Sequence, residues 1–223
     1  MGEGRGQVAA ERFDFKAAGL CLMINDLNNS GVMLARSQTG ESSIKLKLFL
    51  KGRGLIYALA SGRTRFGGSI EPFIWGIFNL KPGKNGGLYL KEVEIKDDMI
   101  ELRQRPQALL TAVKWVKLLT KYLIPENPDD ELLANLYWNM KLLCANNIPV
   151  EISSWRFIWR WLKLWGIAPE DRANFKHELL LNIAQADIKD IIDNFKNFNF
   201  NNKELKIFAD ASFQAEKFLS LNN

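Results

Sequence analysis

The sequence predicts an α+β chain in two parts: a small β-barrel in the N-terminal half and an all-α domain behind it. Between Ala17 and Glu101 the apolar residues fall in short, β-favouring runs broken by Gly, Asn and Pro turn formers. From Gln107 onward they recur at helical spacing, with capping residues and Pro or Gly stops between segments. The composition, 47% hydrophobic and 25% charged, is that of a folding chain able to bury a core.

Residues 1–16 read as a flexible tail whose first ten positions are Gly-rich and polar. The barrel is expected over residues 17–102, with strands at Leu20–Ile24, Val32–Arg36, Ile44–Leu50, Leu55–Ala60, Pro72–Leu80 and Leu88–Ile95. Its turns are Asn28–Gly31, Thr39-Gly40, Gly52–Gly54, Gly62, Gly67-Gly68 and Pro82–Gly87. Short strands at roughly ten-residue spacing suit a closed or half-closed barrel. In Ile44-Lys45-Leu46-Lys47-Leu48 the alternation is strict, which puts both lysines on one face and the aliphatics on the other.

The helical domain is expected over residues 103–223. A first helix fits Gln107–Leu123, stopped by Pro125; a second follows Pro128-Asp129-Asp130, where an Asp can cap the free amides, and ends near Asn146-Asn147. A third starts after Ser153-Ser154 and ends at Gly166; later ones fit Glu170–Gln185, Ile188–Phe195 and Lys203–Leu219.

Bulk properties narrow the function. The formal net charge is +5. Arg36, Lys45, Lys47, Lys51, Arg53, Arg63 and Arg65 face a single acid, Glu41, in the span 36–68, a local net of +6. Phe49, Tyr57 and Phe66 are interleaved with them. Single-stranded nucleic acid calls for this pairing, since cations follow phosphates and flat rings stack on bases; a wet sheet face with core aromatics has the same composition. A second basic stretch, Arg103 to Leu123, places Lys114, Lys117 and Lys121 on one helix face, where they either extend an anion track or form an ordinary solvated face.

The segment Trp155–Trp165 holds four of the seven tryptophans. Most belong to the core, but Arg156, Trp159, Arg160 and Lys163 are candidates for an apolar pocket rimmed by cations, suited to a peptide ending in acids and an aromatic residue.

Enzyme chemistry is not expected. His177 is the only histidine, and no phosphate-binding Gly-Lys-Ser/Thr, Gly-x-Gly-x-x-Gly or HExxH is present. Asp97-Asp98 and Asp129-Asp130 are sequence neighbours that read as a turn and a helix cap. Cys21 and Cys144 lack metal-ligand spacing and read as reduced, buried thiols, so no catalytic group, metal or cofactor is expected. Without a run of about 18 apolar residues no membrane span is expected.

The stretch from Gly31 to Glu94 resembles the bacterial recombination mediator RecO family. The residues that carry this are Gly31–Arg36, Gly40–Phe49, Gly52–Tyr57 and above all Ser61-Gly62-Arg63-Thr64-Arg65-Phe66-Gly67-Gly68-Ser69-Ile70-Glu71-Pro72-Phe73. The helical remainder, ending one helix in Gly166-Ile167-Ala168-Pro169, fits in order and length. The resemblance implies an OB-fold barrel that binds single- and double-stranded DNA and anneals complementary strands. It also implies recombinase loading with RecR in recombinational DNA repair, and recognition of the C-terminal tail of single-stranded DNA-binding protein by the helical domain. A cytoplasmic, nucleoid-associated location follows from it. The chain departs from the family in residues 1–30, in Ser61 where a Lys is usual, and in lacking the four-cysteine zinc module of many relatives.

Three readings stand side by side: a DNA-binding mediator using Arg36, Lys45, Lys47, Lys51, Arg53, Arg63, Arg65 and Phe66 with Lys114, Lys117 and Lys121; a peptide-docking protein using Arg156, Trp159, Arg160 and Lys163; and an OB-fold RNA-binding protein.

Overall fold

The computed structural model describes residues 29–39, 43–61, 70–83, 86–167, 177–194 and 200–221. The expected strand at Leu20–Ile24 lies outside them.

Five strands close into a barrel in the order β1-β2-β3-β5-β4. They are β1 (Ser30–Thr39), β2 (Ser43–Leu50), β3 (Gly54–Ser61), β4 (Trp75–Pro82) and β5 (Leu88–Asp97). All pairings are antiparallel except β3 with β5, which run parallel. This is an OB-fold-like barrel. Its interior is filled by alternate residues, among them Met33, Leu46, Leu48, Ile56, Ala58, Phe78 and Leu90. β4 starts later than expected, because Pro72-Phe73 form a turn in which Phe73 adopts φ 74°.

Among the described residues seven helices follow: α1 (Ile100–Gln104), α2 (Pro106–Tyr122), α3 (Asp130–Cys144), α4 (Val150–Leu164), α5 (Glu178–Gln185), α6 (Ile188–Asn194) and α7 (Asn202–Leu221). α2 begins on Pro106, whose missing N–H costs nothing in a first turn. Asp129 caps α3 by accepting from Leu132 N at 2.9 Å, and its other oxygen accepts from Trp165 Nε1 at 3.1 Å. α4 starts earlier than Ser153: Pro149 is its N-cap and Ser153 is buried inside it. Asp97 and Asp98 accept from the backbone of Met99 and Ile100, as expected of a turn.

The outer wall of the barrel is not all solvent-facing. Val32, Leu34, Phe49, Leu55, Phe73 and Trp75 join Trp115, Leu136, Tyr137, Phe157 and Trp161 in one core shared with the helices. The α2–α3 loop seals this junction. Glu126 N donates to Leu55 O at 2.9 Å, and Gly52 N donates to Asp130 Oδ1 at 2.7 Å. At Gly54 (φ +71°) a Cβ would lie 2.1 Å from Asn127 O, so only glycine permits the approach.

Candidate nucleic-acid interface

The outward side chains of β2 are Phe49, Lys47 and Lys45 in succession, and they pass from buried to exposed. Those of β3 are Leu55, Tyr57 and Leu59, with Leu55 buried and Tyr57 41% exposed. The helices therefore cover one end of the wall and leave the other open. On the open part Lys47 pairs in register with Tyr57, and Lys45 pairs with Leu59. Lys45 Nζ lies 4.9 Å and Lys47 Nζ 5.7 Å from the Tyr57 ring centroid. An exposed ring with two ammonium groups over it offers an aromatic surface and phosphate contacts in one small area.

The other cations of the basic segment are dispersed. Arg36 donates to Ile70 O at 2.6 Å and pairs with Glu71 at 2.6 Å. A β-bulge between Met33 and Ala35 leaves Leu34 unpaired and shifts the alternation by one. Arg36 is consequently opposite Leu46, on the interior side, instead of beside Lys45 and Lys47. Lys51 and Arg53 belong to the β2–β3 turn, roughly 20 Å along the strand from Lys45. There Arg53 Nη1 donates to Asn29 Oδ1 at 3.1 Å, close to the sealed helical junction. Arg63, Arg65 and Phe66 lie outside the described residues. Phe49 is fully buried, so among the described residues of the segment Tyr57 is the exposed aromatic.

Lys114, Lys117 and Lys121 do share the exposed face of α2, but two of them have local partners. Lys114 pairs with Glu216 of α7 at 2.6 Å, and Lys121 Nζ lies 4.7 Å from the Tyr122 ring centroid. Arg103 and Arg105 are structural. Arg103 donates to Asp98 O and Pro72 O, whereas Arg105 donates to the carbonyls of Leu143, Ala145 and Ile148 at the end of α3.

The expected rim of the peptide pocket is largely interior. Arg156 is 1% and Trp159 4% exposed. Arg156 donates to Asn139 Oδ1 at 3.3 Å and Ala186 O at 3.0 Å; Arg160 donates to Ala184 O at 3.0 Å and Ala186 O at 3.2 Å. Both guanidinium groups thus serve the C-terminal carbonyls of α5. Burial, with Arg160 as its neighbour, pushes Arg156 well below its ordinary pKa, and burial lowers Arg160 to about 10. Lys163 is exposed and covers the Trp159 ring at 5.1 Å. A helix with Trp at three positions and a fourth at its C-cap signals a buried amphipathic element, and the arginines on its inner side follow only once α5 is seen to end against it.

His177 caps α5, its Nδ1 accepting from Leu179 N at 3.3 Å. Cys144 is a free, buried thiol. Among the described residues no three His, Cys, Asp or Glu side chains gather as metal ligands, and no helix is long and apolar enough to cross a membrane.

No model of a known protein family matches the chain, and no curated protein matches it.

Proposed function

We propose that the chain binds nucleic acid on the open wall of its barrel and acts as a RecO-like recombination mediator. In this role it anneals complementary DNA strands and helps load recombinase in recombinational repair. The observation that carries the binding reading is the Lys45–Tyr57–Lys47 cluster on an OB-fold-like wall that the helices leave uncovered. The mediator role is supported by the resemblance of Gly31–Tyr57 and Ser61–Phe73 to the RecO family. Annealing makes and breaks no covalent bond, which suits a wall bearing cations and a ring. The lysines reduce repulsion between two phosphate backbones, and the contacts are sequence-tolerant and salt-sensitive.

The test is a salt titration of binding to a labelled oligonucleotide, comparing the unaltered chain with Lys45→Glu/Lys47→Glu. Losing two phosphate contacts reduces the slope of log K against log salt by about 1.4 for a single strand. Strand-annealing rates are expected to fall in parallel. An unchanged slope removes the wall from the reading. Competition between matched DNA and RNA oligonucleotides separates the mediator from an OB-fold RNA-binding protein.

A further inference from the structure

The register of the barrel continues the Lys45 row past β3. Ser37 pairs with Lys45, Lys45 with Leu59, Leu59 with Tyr89, and Tyr89 with Lys81. These five residues form one line of outward side chains crossing every strand. All five have outward parity, because their neighbours Leu46, Ala58, Leu90 and Leu80 belong to the interior.

Tyr89 has a seat of its own. A Cβ on Gly83 would lie 2.1 Å from Tyr89 Cε2, so the ring rests in space that only glycine leaves empty. Gly83 is in turn fixed by the β4–β5 turn, where its N–H donates to Gly87 O at 2.7 Å. The ring is half-buried, and Lys81, its register partner, is exposed. The wall thus repeats its pattern at a second place: a tyrosine with a lysine beside it.

We infer that Tyr57 and Tyr89 are two stacking stations for successive bases of one unpaired, extended strand. The strand runs across β2, β3, β5 and β4 from Lys45 to Lys81, and the lysines take its phosphates. This rests on the proposed barrel reading and narrows its substrate to strands whose bases are free. Tyr57 and Tyr89 stand on adjacent strands, offset by two residues, which separates them by roughly 8 Å. Stacked bases in a duplex strand rise only about 3.4 Å. Bases on both rings must therefore be unstacked from each other, which a duplex does not allow. The lysine stems over Tyr57 are flexible, so a base displaces them from the ring as they turn to phosphate.

The experiment compares three labelled probes: an oligothymidylate, an abasic phosphodiester of equal length, and a duplex of equal length. Binding is measured for the unaltered chain, Tyr89→Leu, Tyr89→Phe and Gly83→Ala, with circular dichroism checking that each is folded. Tyr89→Leu is expected to weaken oligothymidylate binding roughly five- to hundredfold, as loss of one base stack does. It should leave the abasic probe unchanged, and Tyr89→Phe should retain affinity. Gly83→Ala displaces the ring and should reproduce a lesser form of the Tyr89→Leu loss. Equal loss on the base-bearing and abasic probes, or no loss on either, overturns the second station. So does tighter binding of the duplex than of the single strand. Failure of the unaltered chain to bind any probe overturns the barrel reading itself and this inference with it.

Discussion

Arg36 is separated from the open wall by a single unpaired residue. The bulge at Leu34 rotates everything after it in β1, so a guanidinium that strict alternation would place near Lys47 closes the barrel end against Ile70 and Glu71 instead. Arg36→Gln is therefore expected to leave the salt slope of oligonucleotide binding unchanged, in contrast to Lys45→Glu/Lys47→Glu. Its stability cost should stay within about 1 kcal/mol, because the ion pair is partly exposed; the salt titration checks the first half and thermal unfolding the second. Residue types and parity made Lys45 and Lys47 readable from sequence as one face. Bulges are invisible to such a reading, since nothing in Val32-Met33-Leu34-Ala35 distinguishes a paired Leu from an extra one. Tyr57 was readable in principle as an outward position between Ile56 and Ala58; Phe49 shares the parity of Lys45 and Lys47, but parity does not reveal that the helices cover its end of the wall.

At the scale of elements, α3 is the hub. Its cap, Asp129, serves both its own first turn and Trp165, so Asp129→Ala should cost about 1–3 kcal/mol, measured as a shift of the urea midpoint at constant m. Its outer half binds the end of the barrel: Tyr137 and Lys141 donate to Asp97 at 3.3 and 3.0 Å, and Cys144 touches Met99. Burial pushes the Cys144 thiol up to about 11 and also raises Tyr137, while desolvation of Lys141 is outweighed by its hydrogen bond and charge attraction to Asp97 taken together with the nearby Cys144 and Glu101, which raise it. All three bind protons more tightly folded than unfolded, so stability falls as pH rises above about 9. The fall should reach at most about 1.4 kcal/mol per pH unit for each group titrating. Urea midpoints between pH 8 and 10.5 test this, and Cys144→Ala should flatten the part that begins at 9. Helix existence was legible here from Pro and Asp punctuation. The short α1 was not, because five residues hold no period, and neither was the start of α4, where Ser153-Ser154 imitate a cap but lie within the helix.

For the whole molecule, the expected division into a barrel and a helical domain is visible as architecture, yet the largest core crosses between them. Trp75 of β4 meets Tyr137 of α3 edge-on at 4.8 Å, and Phe49 and Leu55 face the helices from β2 and β3. Trp75→Ala should destabilise by about 3–5 kcal/mol. Barrel and helices should then lose structure in one transition, seen as coincident tryptophan fluorescence and circular dichroism curves. Sequence composition distinguished strands from helices but not inner from outer apolar residues at this junction, because a barrel strand buried on both sides reads as an unbroken apolar run.

The barrel closes through its thinnest seam. Between β3 and β5 only Ala58↔Leu88 and Leu59↔Tyr89 are paired, whereas β2 and β3 share eight pairs. Two pairs hold strands that are distant along the chain, so this seam is the natural first place for the barrel to open. The line from Lys45 to Lys81 crosses the same seam. A strand held on both tyrosines would span it like a suture, which makes the amide protons of Leu59 and Tyr89 reporters: their hydrogen exchange should slow on oligonucleotide binding more than that of the β1–β2 hairpin.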